Sequence, residues 1–166
     1  MAYLLDTNIF IQAKNDYYGF DLCPGFWAWL EQQNEANTVF SIGPVQVELI
    51  RGDDQLSEWA REQGARFFLP FDQEASTVMS EVSQWVQDSD YYDYAKSEFL
   101  SVADSLLVAY AKAHGHTVVT HEVFNPTQPG RKKIKIPAAC HEFDVPYIRT
   151  FEMLREEGAS FVLSEA

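Results

Sequence analysis

Short apolar runs alternate along the chain with longer segments whose apolar residues recur at helical spacing. Four of the short runs predict strands, at residues 2–5, 38–42, 66–69 and 116–120. A weaker apolar stretch at residues 139–145 predicts a short fifth strand. The longer segments predict helices at residues 26–33, 44–50, 54–63, 72–87, 91–114 (with one break) and 150–157. Three glycines are expected to end helices: Gly64, Gly115 and Gly158.

The alternation of short apolar strands with helices predicts a parallel sheet that is buried on both faces. We therefore expect an α/β fold, a three-layer α/β/α sandwich whose central parallel sheet has four to five strands. With 166 residues and 46% hydrophobic content, the chain has the size and apolar fraction of one globular domain. Ligands bind outside the carboxyl ends of the strands in such sheets, so a functional site is expected at that edge.

Charge and cysteine content narrow the function classes. The chain has 25 Asp and Glu against 12 Lys and Arg, a formal net charge of −13. Such a charge excludes binding of nucleic acid or anionic membrane through the overall field, so any polyanion contact must be local. Cys23 and Cys140 lack a CxxC pairing and are expected to be free thiols in a reducing compartment.

The beginning of the chain and its apolar runs also bear on location. The first apolar run has no basic flank and stops at Asp6, and no stretch approaches the roughly 20 apolar residues of a membrane span. These features predict a cytoplasmic protein without a secretory signal or a membrane partner.

Four carboxylates lie at or beside the predicted strand ends. Asp6 and Glu122 directly follow strands, whereas Glu48 and Asp104 lie in largely apolar helical segments. Each has an ordinary alternative: Asp6 and Asp104 are also typical of helix N-caps, and the two Glu residues are typical of surface positions. Thr7 and Asn8 add a hydroxyl and an amide next to Asp6.

Taken together, the four acids indicate a cation site. Like charges about 5 Å apart repel by roughly 3 kcal/mol per pair at an effective dielectric constant near 20, so a fold gathers them only around a compensating cation. Oxygen ligands favour Mg²⁺ or Mn²⁺ over Zn²⁺. Such a site activates water and neutralises the charge of a phosphodiester.

The residues around these acids resemble the PIN-domain nuclease family, and in particular VapC-type toxins and related PIN-like bacterial proteins. The resemblance extends from residue 1 to about residue 124. It rests on four segments: Leu4-Leu5-Asp6-Thr7-Asn8, Val47-Glu48-Leu49, Ala103-Asp104-Ser105-Leu106 with Ala109, and Val119-Thr120-His121-Glu122. It implies a single PIN-like domain over residues 1–166, in which residues 125–166 form a C-terminal extension of uncertain role.

The family resemblance also assigns roles to individual residues. It implies a divalent-metal-dependent ribonuclease, with Asp6, Glu48 and Asp104 as metal ligands and Thr120 as the family's hydroxyl residue. Thr7 and Asn8 are expected to support these ligands. The fourth acidic position is more often Asp in the family, and here it is Glu122, which is expected to bind metal directly or through water.

The resemblance implies partners as well. It suggests the toxin of a type II toxin–antitoxin pair, whose antitoxin blocks the acidic centre, and family members often form homodimers. The four tryptophans are therefore candidate interface residues, although core packing better explains most of them. The alternative function is a PIN-like module that binds RNA or protein with little or no catalysis.

Other catalytic patterns are disfavoured. An aspartyl-phosphate enzyme requires Asp-x-Asp after the first strand, and position 8 is Asn. Glycine-rich phosphate loops are absent from the sequence. Neither a Cys–His pair at Cys140 and His141 nor a zinc site among the four histidines has a supporting spacing.

One basic segment stands out in the acidic chain. Arg131, Lys132, Lys133 and Lys135 supply four of the 12 basic residues within five positions. Pro129 and Gly130 before the segment indicate a loop that leaves the fourth strand close to Glu122. The segment is either a solvated loop or a surface that holds RNA phosphates beside the acidic centre.

Overall fold

The computed structural model describes residues 1–164. Within them, five parallel strands form one sheet in the order β3-β2-β1-β4-β5. The strands are β1 (Tyr3–Leu5), β2 (Val39–Ile42), β3 (Phe68–Leu69), β4 (Thr117–Val119) and β5 (Tyr147–Ile148). Adjacent residues of a strand point to opposite faces, and Leu4 and Leu5 are both fully buried, so both faces of the sheet are covered. The predicted α/β/α architecture is confirmed.

The helices connect the strands in chain order. They are α1 (Thr7–Gln12), α2 (Pro24–Glu35), α3 (Gly43–Ile50), α4 (Gln55–Phe67), α5 (Gln73–Asp88), α6 (Asp93–Ser101), α7 (Ala103–His114), α8 (Ile136–Glu142) and α9 (Thr150–Glu156). A π-helical turn, Ala13–Tyr17, follows α1. No helix within residues 1–164 is both long enough and apolar enough to cross a membrane.

The predicted break in the segment 91–114 occurs at Val102, which has extended backbone angles between α6 and α7. This break places Asp104 in the first turn of α7 rather than in the middle of a long helix. Gly115 ends α7 with a positive φ of 72°, as expected for a glycine stop. The break thus brings an acidic side chain to the edge of the sheet.

Two strand predictions need correction. Residues 139–145 do not form a strand, because residues 136–142 form α8. Pro137 lies in the first turn of this helix, where proline is favoured. The fifth strand is Tyr147–Ile148, paired with β4. The third strand is shorter than predicted, since residues 66 and 67 still belong to α4, which has a non-helical Gly64 in its interior.

The sheet order positions the functional edge. From β1 the chain proceeds to β2 and β3 on one side of the sheet, and it returns to β4 and β5 on the other. The carboxyl ends of β1 and β4 therefore flank a topological switch point, where open parallel sheets bind ligands. Asp6 and Thr120 directly follow these two strands.

The core is rich in aromatic side chains. Trp27 and Trp59 are buried and their rings meet edge to face at 5.0 Å between centroids. Trp29 and Trp85 are partly buried against the same core. Core packing therefore accounts for Trp27 and Trp59, whereas homodimer formation stays a prediction.

Candidate metal centre

Asp6 lies in the interior of the site, with 1% of its surface exposed. Its position precedes α1, but its side chain makes no capping hydrogen bond to that helix. Instead, the Thr120 hydroxyl donates a hydrogen bond of 3.1 Å to the Asp6 carboxyl. Burial, followed by the negative charges of Asp104 and Glu122, raises the pKa of Asp6 to about 8. Asp6 therefore stands at the N-cap position of α1 while its carboxyl faces the other acids of the centre.

Asp104 faces the same centre from the first turn of α7. The N-cap of α7 is Val102, so Asp104 does not cap the helix. Burial, followed by the charges of Glu122 and Glu48, raises its pKa to about 7, and Lys133 acts in the opposite direction. The mutual influence of these carboxyls shows that the fold brings the predicted acids together.

Glu48 reaches the centre from α3, and both of its carboxyl oxygens accept hydrogen bonds. The Thr7 hydroxyl donates to Oε1 at 2.6 Å, and the backbone N–H of Ala103 donates to Oε2 at 3.0 Å. Glu48 therefore ties the start of α1 to the start of α7 and satisfies one of the free amides of α7. This is a structural role that the sequence did not reveal, because the contact with Ala103 joins residues 55 positions apart.

Glu122 completes the acidic group after β4. Its backbone N–H donates a hydrogen bond of 3.2 Å to the Thr120 hydroxyl, which in turn binds Asp6. Its Oε2 is buried and has no hydrogen-bond partner, and the ammonium group of Lys133 lies 3.7 Å from it. A buried carboxylate oxygen without a donor carries a desolvation cost that a bound cation would offset.

Two clefts open beside these carboxylates and share Asn8. One, of about 210 Å³, is lined by Asn8, Glu48, Glu98, Asp104 and Lys133 among others. The second, of about 360 Å³, is lined by Asp6, Asn8, His121 and Glu122 together with residues of the first helix and the π-helical turn. The acidic centre is thus reached from solvent on two sides.

Within residues 1–164, no group of three or more His, Cys, Asp or Glu side chains is already arranged to hold a metal. Both oxygens of Glu48 accept hydrogen bonds from protein donors. The chemistry of the site nevertheless fits a hard divalent cation: oxygen donors only, two carboxyls with raised pKa values and one buried oxygen without a partner.

The basic segment divides into residues with different contacts. Arg131 donates to the Asp90 backbone carbonyl at 2.6 Å, and Lys135 donates to the Val123 carbonyl at 2.9 Å. Ile134 is buried and anchors the loop. Lys133 alone of the four basic residues lines the cleft that contains Glu48 and Asp104. The sequence could not separate it from its neighbours, because its direction depends on the path of the loop around Ile134.

Comparisons with known proteins agree with this architecture. A family described as a domain of unknown function, DUF4411, matches residues 3–161. No curated protein matches the sequence. VapBC2 from Rickettsia felis, solved bound to a DNA fragment from its promoter, is similar in structure with a TM-score of 0.53 and 16% identity, over 90% of this chain and 98% of the other. FitAB bound to the IR36 DNA fragment gives a TM-score of 0.52 and 22% identity, over 89% and 94%.

Proposed function

We propose that this chain, which belongs to the DUF4411 family and has the PIN-like fold expected from its sequence, is a divalent-metal-dependent ribonuclease. The observation that carries the proposal is the convergence of Asp6, Asp104 and Glu122 at the switch point of the sheet. Burial and mutual repulsion raise the pKa values of two of them, and the third has a buried oxygen without a donor. A buried Asp6 beside two half-buried acids favours a cation ligand set over a structural role.

In this proposal, Asp6, Asp104 and Glu122 would hold Mg²⁺ or Mn²⁺, with Glu48 contributing from α3. The bound ion supplies charge neutralisation at the phosphodiester and an activated water. Thr120 orients Asp6 through its hydroxyl, and Asn8 lies where the two clefts meet. Glu122, whose side chain is longer than the Asp typical of the family, would orient the attacking water. Lys133, which lies 3.7 Å from Glu122 and lines the cleft, would bind a phosphate oxygen.

The proposal includes a biological setting. The resemblance of the sequence to VapC-type toxins supports the toxin of a type II toxin–antitoxin pair, acting in the cytoplasm with a cognate antitoxin. VapBC2 and FitAB, which share the fold, are both solved on DNA fragments, and that property belongs to those proteins. A partner that places a basic side chain in the acidic centre would complement a chain of net charge −13.

The test is RNA cleavage by purified protein with Mg²⁺, Mn²⁺ or excess chelator. Asp104→Asn is expected to abolish metal-dependent cleavage and to retain the fold, since the amide has the same shape. Asp88→Asn is the matched control, because Asp88 is exposed on α5 and only meets Gln84. Growth arrest on expression, relieved by Asp6→Asn, tests the toxin role separately.

Undiminished cleavage by Asp104→Asn, or cleavage that persists in chelator, would contradict the proposal. RNA binding by the wild type without any metal-dependent cleavage would favour the alternative of a binding module.

A further inference from the structure

Two exposed tyrosines at the beginning of α6 form a paired aromatic surface. Tyr92 and Tyr94 are 41% and 59% exposed, and their rings lie 5.8 Å apart with planes inclined by 30°. Neither ring contributes to the hydrophobic core. Large aromatic side chains left paired in solvent are typical of surfaces that bind a flat ligand.

A guanidinium group extends this surface. The Arg131 guanidinium carbon lies 4.7 Å from the centre of the Tyr92 ring, and the Arg131 carbonyl accepts a 3.0 Å hydrogen bond from the Tyr92 backbone N–H. An ion pair of 3.2 Å with Asp90 holds the side chain, but both groups are largely exposed, so the pair is weak. Arg131 is therefore oriented over the ring and still open to a phosphate.

This surface adjoins the acidic cleft. Tyr94 and Glu98 are four residues apart on α6 and share one helix face, about one turn of roughly 5.4 Å apart. Glu98 lines the cleft that contains Glu48 and Asp104. Lys133, two residues after Arg131, lines the same cleft. A strand that crosses the rings is therefore about one helical turn from the wall of the cleft that contains Glu48 and Asp104.

We infer that Tyr92, Tyr94 and Arg131 form a stacking platform for the bases of a single-stranded nucleic acid that enters the acidic cleft. The inference rests on the proposed function and names its substrate class, single-stranded RNA. With only 12 basic residues and a net charge of −13, the chain gains little affinity from charge alone. Stacking on aromatic rings supplies a term that does not depend on net charge and requires unpaired bases.

The experiment measures binding of short RNA oligonucleotides in Mg²⁺ in the Asp104→Asn background, which prevents cleavage. The probes are a single strand, its duplex, and the same strand with abasic sites. Tyr94→Ala is expected to weaken single-strand binding about 5- to 150-fold, the fold-change of losing one stacked base. Tyr94→Phe should restore the affinity, because it retains the ring. Leu22→Ala is the control, since Leu22 is an exposed apolar side chain outside both acidic clefts.

Two further measurements separate the contribution of base stacking to RNA binding from the contribution of charge. A fluorescent base analogue such as 2-aminopurine should be quenched on binding to the Tyr94-containing protein and not to Tyr94→Ala. The salt dependence of binding should be unchanged in Tyr94→Ala, whereas Arg131→Ala should lower the log–log slope by about 0.7.

Equal affinity of Tyr94→Ala and its parent for the single strand would overturn the inference. So would equal binding of the single strand, the duplex and the abasic strand. Loss of binding to a protein partner in Tyr94→Ala, with RNA binding intact, would assign the surface to that partner instead. If the wild type binds RNA through Tyr94 but cleaves none, the platform is supported and the proposed nuclease activity is refuted. If the protein cleaves RNA and Tyr94→Ala leaves the cleavage unaffected, the nuclease activity is supported and the platform is refuted.

Discussion

At the scale of single residues, the acidic centre keeps two carboxyls protonated at pH values at which free carboxyls are ionised. Asp6 and Asp104 titrate near pH 8 and pH 7 in the folded chain, mainly because burial and then neighbouring negative charge disfavour ionisation. In the unfolded chain both groups titrate near pH 4. The folded protein therefore binds more protons than the unfolded one between about pH 4 and pH 8.

This difference predicts a pH dependence of stability. Stability falls with rising pH wherever the folded state binds more protons, so the contribution of these two carboxyls to the free energy of unfolding decreases from about pH 4 to about pH 8. Denaturant unfolding in chelator should show this decline, and Asp104→Asn should flatten it and stabilise the metal-free protein at pH 8. Mg²⁺ should release protons on binding near pH 7, measurable by calorimetry in two buffers. Identical pH profiles for the two proteins would contradict this assignment.

The lysines of the basic segment give a second prediction from single residues. Lys132 and Lys133 are adjacent and both exposed, but of the two only Lys133 pairs with Glu122, at 3.7 Å. Lys133→Ala should reduce cleavage at saturating RNA, since it removes a positive charge beside the reacting phosphate. Lys132→Ala should leave cleavage at saturating RNA unchanged and lower the salt slope of binding by at most about 0.7. Equal effects of both variants on cleavage would return the segment to a general electrostatic role.

At the scale of elements, the junction of α3, α1 and α7 depends on one side chain. Glu48 accepts hydrogen bonds from Thr7 and from the first amide of α7. Charge-assisted hydrogen bonds of this kind contribute about 1.5–3 kcal/mol each, and an anion at a helix N-terminus is further stabilised by the helix dipole. The same residue is a metal ligand by family resemblance, so its structural and catalytic contributions must be separated by experiment.

Two substitutions of Glu48 make that separation. Glu48→Ala should lower the free energy of unfolding by about 3–6 kcal/mol in chelator, because both charge-assisted hydrogen bonds are lost and both donors lose their acceptor. Glu48→Gln should lose less, since its carbonyl oxygen still accepts one of the two hydrogen bonds. Both should weaken Mg²⁺ binding in a titration. If Glu48→Ala unfolds at the same denaturant concentration as the wild type, the bridge contributes nothing to stability.

The elements also show what sequence patterns capture. The strands β1, β2 and β4 follow from local apolar runs, and the structure places them within one or two residues of prediction. The sequence also predicts one break in residues 91–114, but its position at Val102 comes from the structure. The strand predicted at residues 139–145 is wrong, because Pro137 lies in the first turn of a helix that extends through Glu142. Asp6 and Glu122 follow from strand ends, and Glu48 and Asp104 from acids in apolar helical segments. The contact of Glu48 with Ala103 and the position of Lys133 in the cleft depend on long-range packing that no local pattern encodes.

At the scale of the whole molecule, the segment after residue 124 is part of the folded unit. β5 forms an edge of the sheet beside β4, and Ile136, Ala139 and Cys140 are fully buried in the core. Burial raises the pKa of the Cys140 thiol to about 12, as expected for a side chain sealed in an apolar interior. The acidic centre also receives Lys133 from this segment, so its integrity depends on the whole chain.

Truncation tests this dependence. A chain ended after Phe124 should lose cooperative thermal unfolding, because β4 becomes an unpaired edge and the core loses α8. A chain ended after Val162 should unfold like the full-length protein, since Leu163 is almost fully exposed. If the chain that ends after Phe124 still unfolds cooperatively, as followed by circular dichroism, residues 125–166 are not needed for the fold.

The hydrogen bond between Glu48 and the Ala103 amide also couples the occupancy of the acidic centre to the backbone of α7. A carboxylate that turns from this amide to a cation leaves the first N–H of α7 to water, so occupancy of the site is transmitted to the backbone of the helix that carries Asp104. The chemical shift and exchange rate of that one amide hydrogen thus report the state of the centre from outside it.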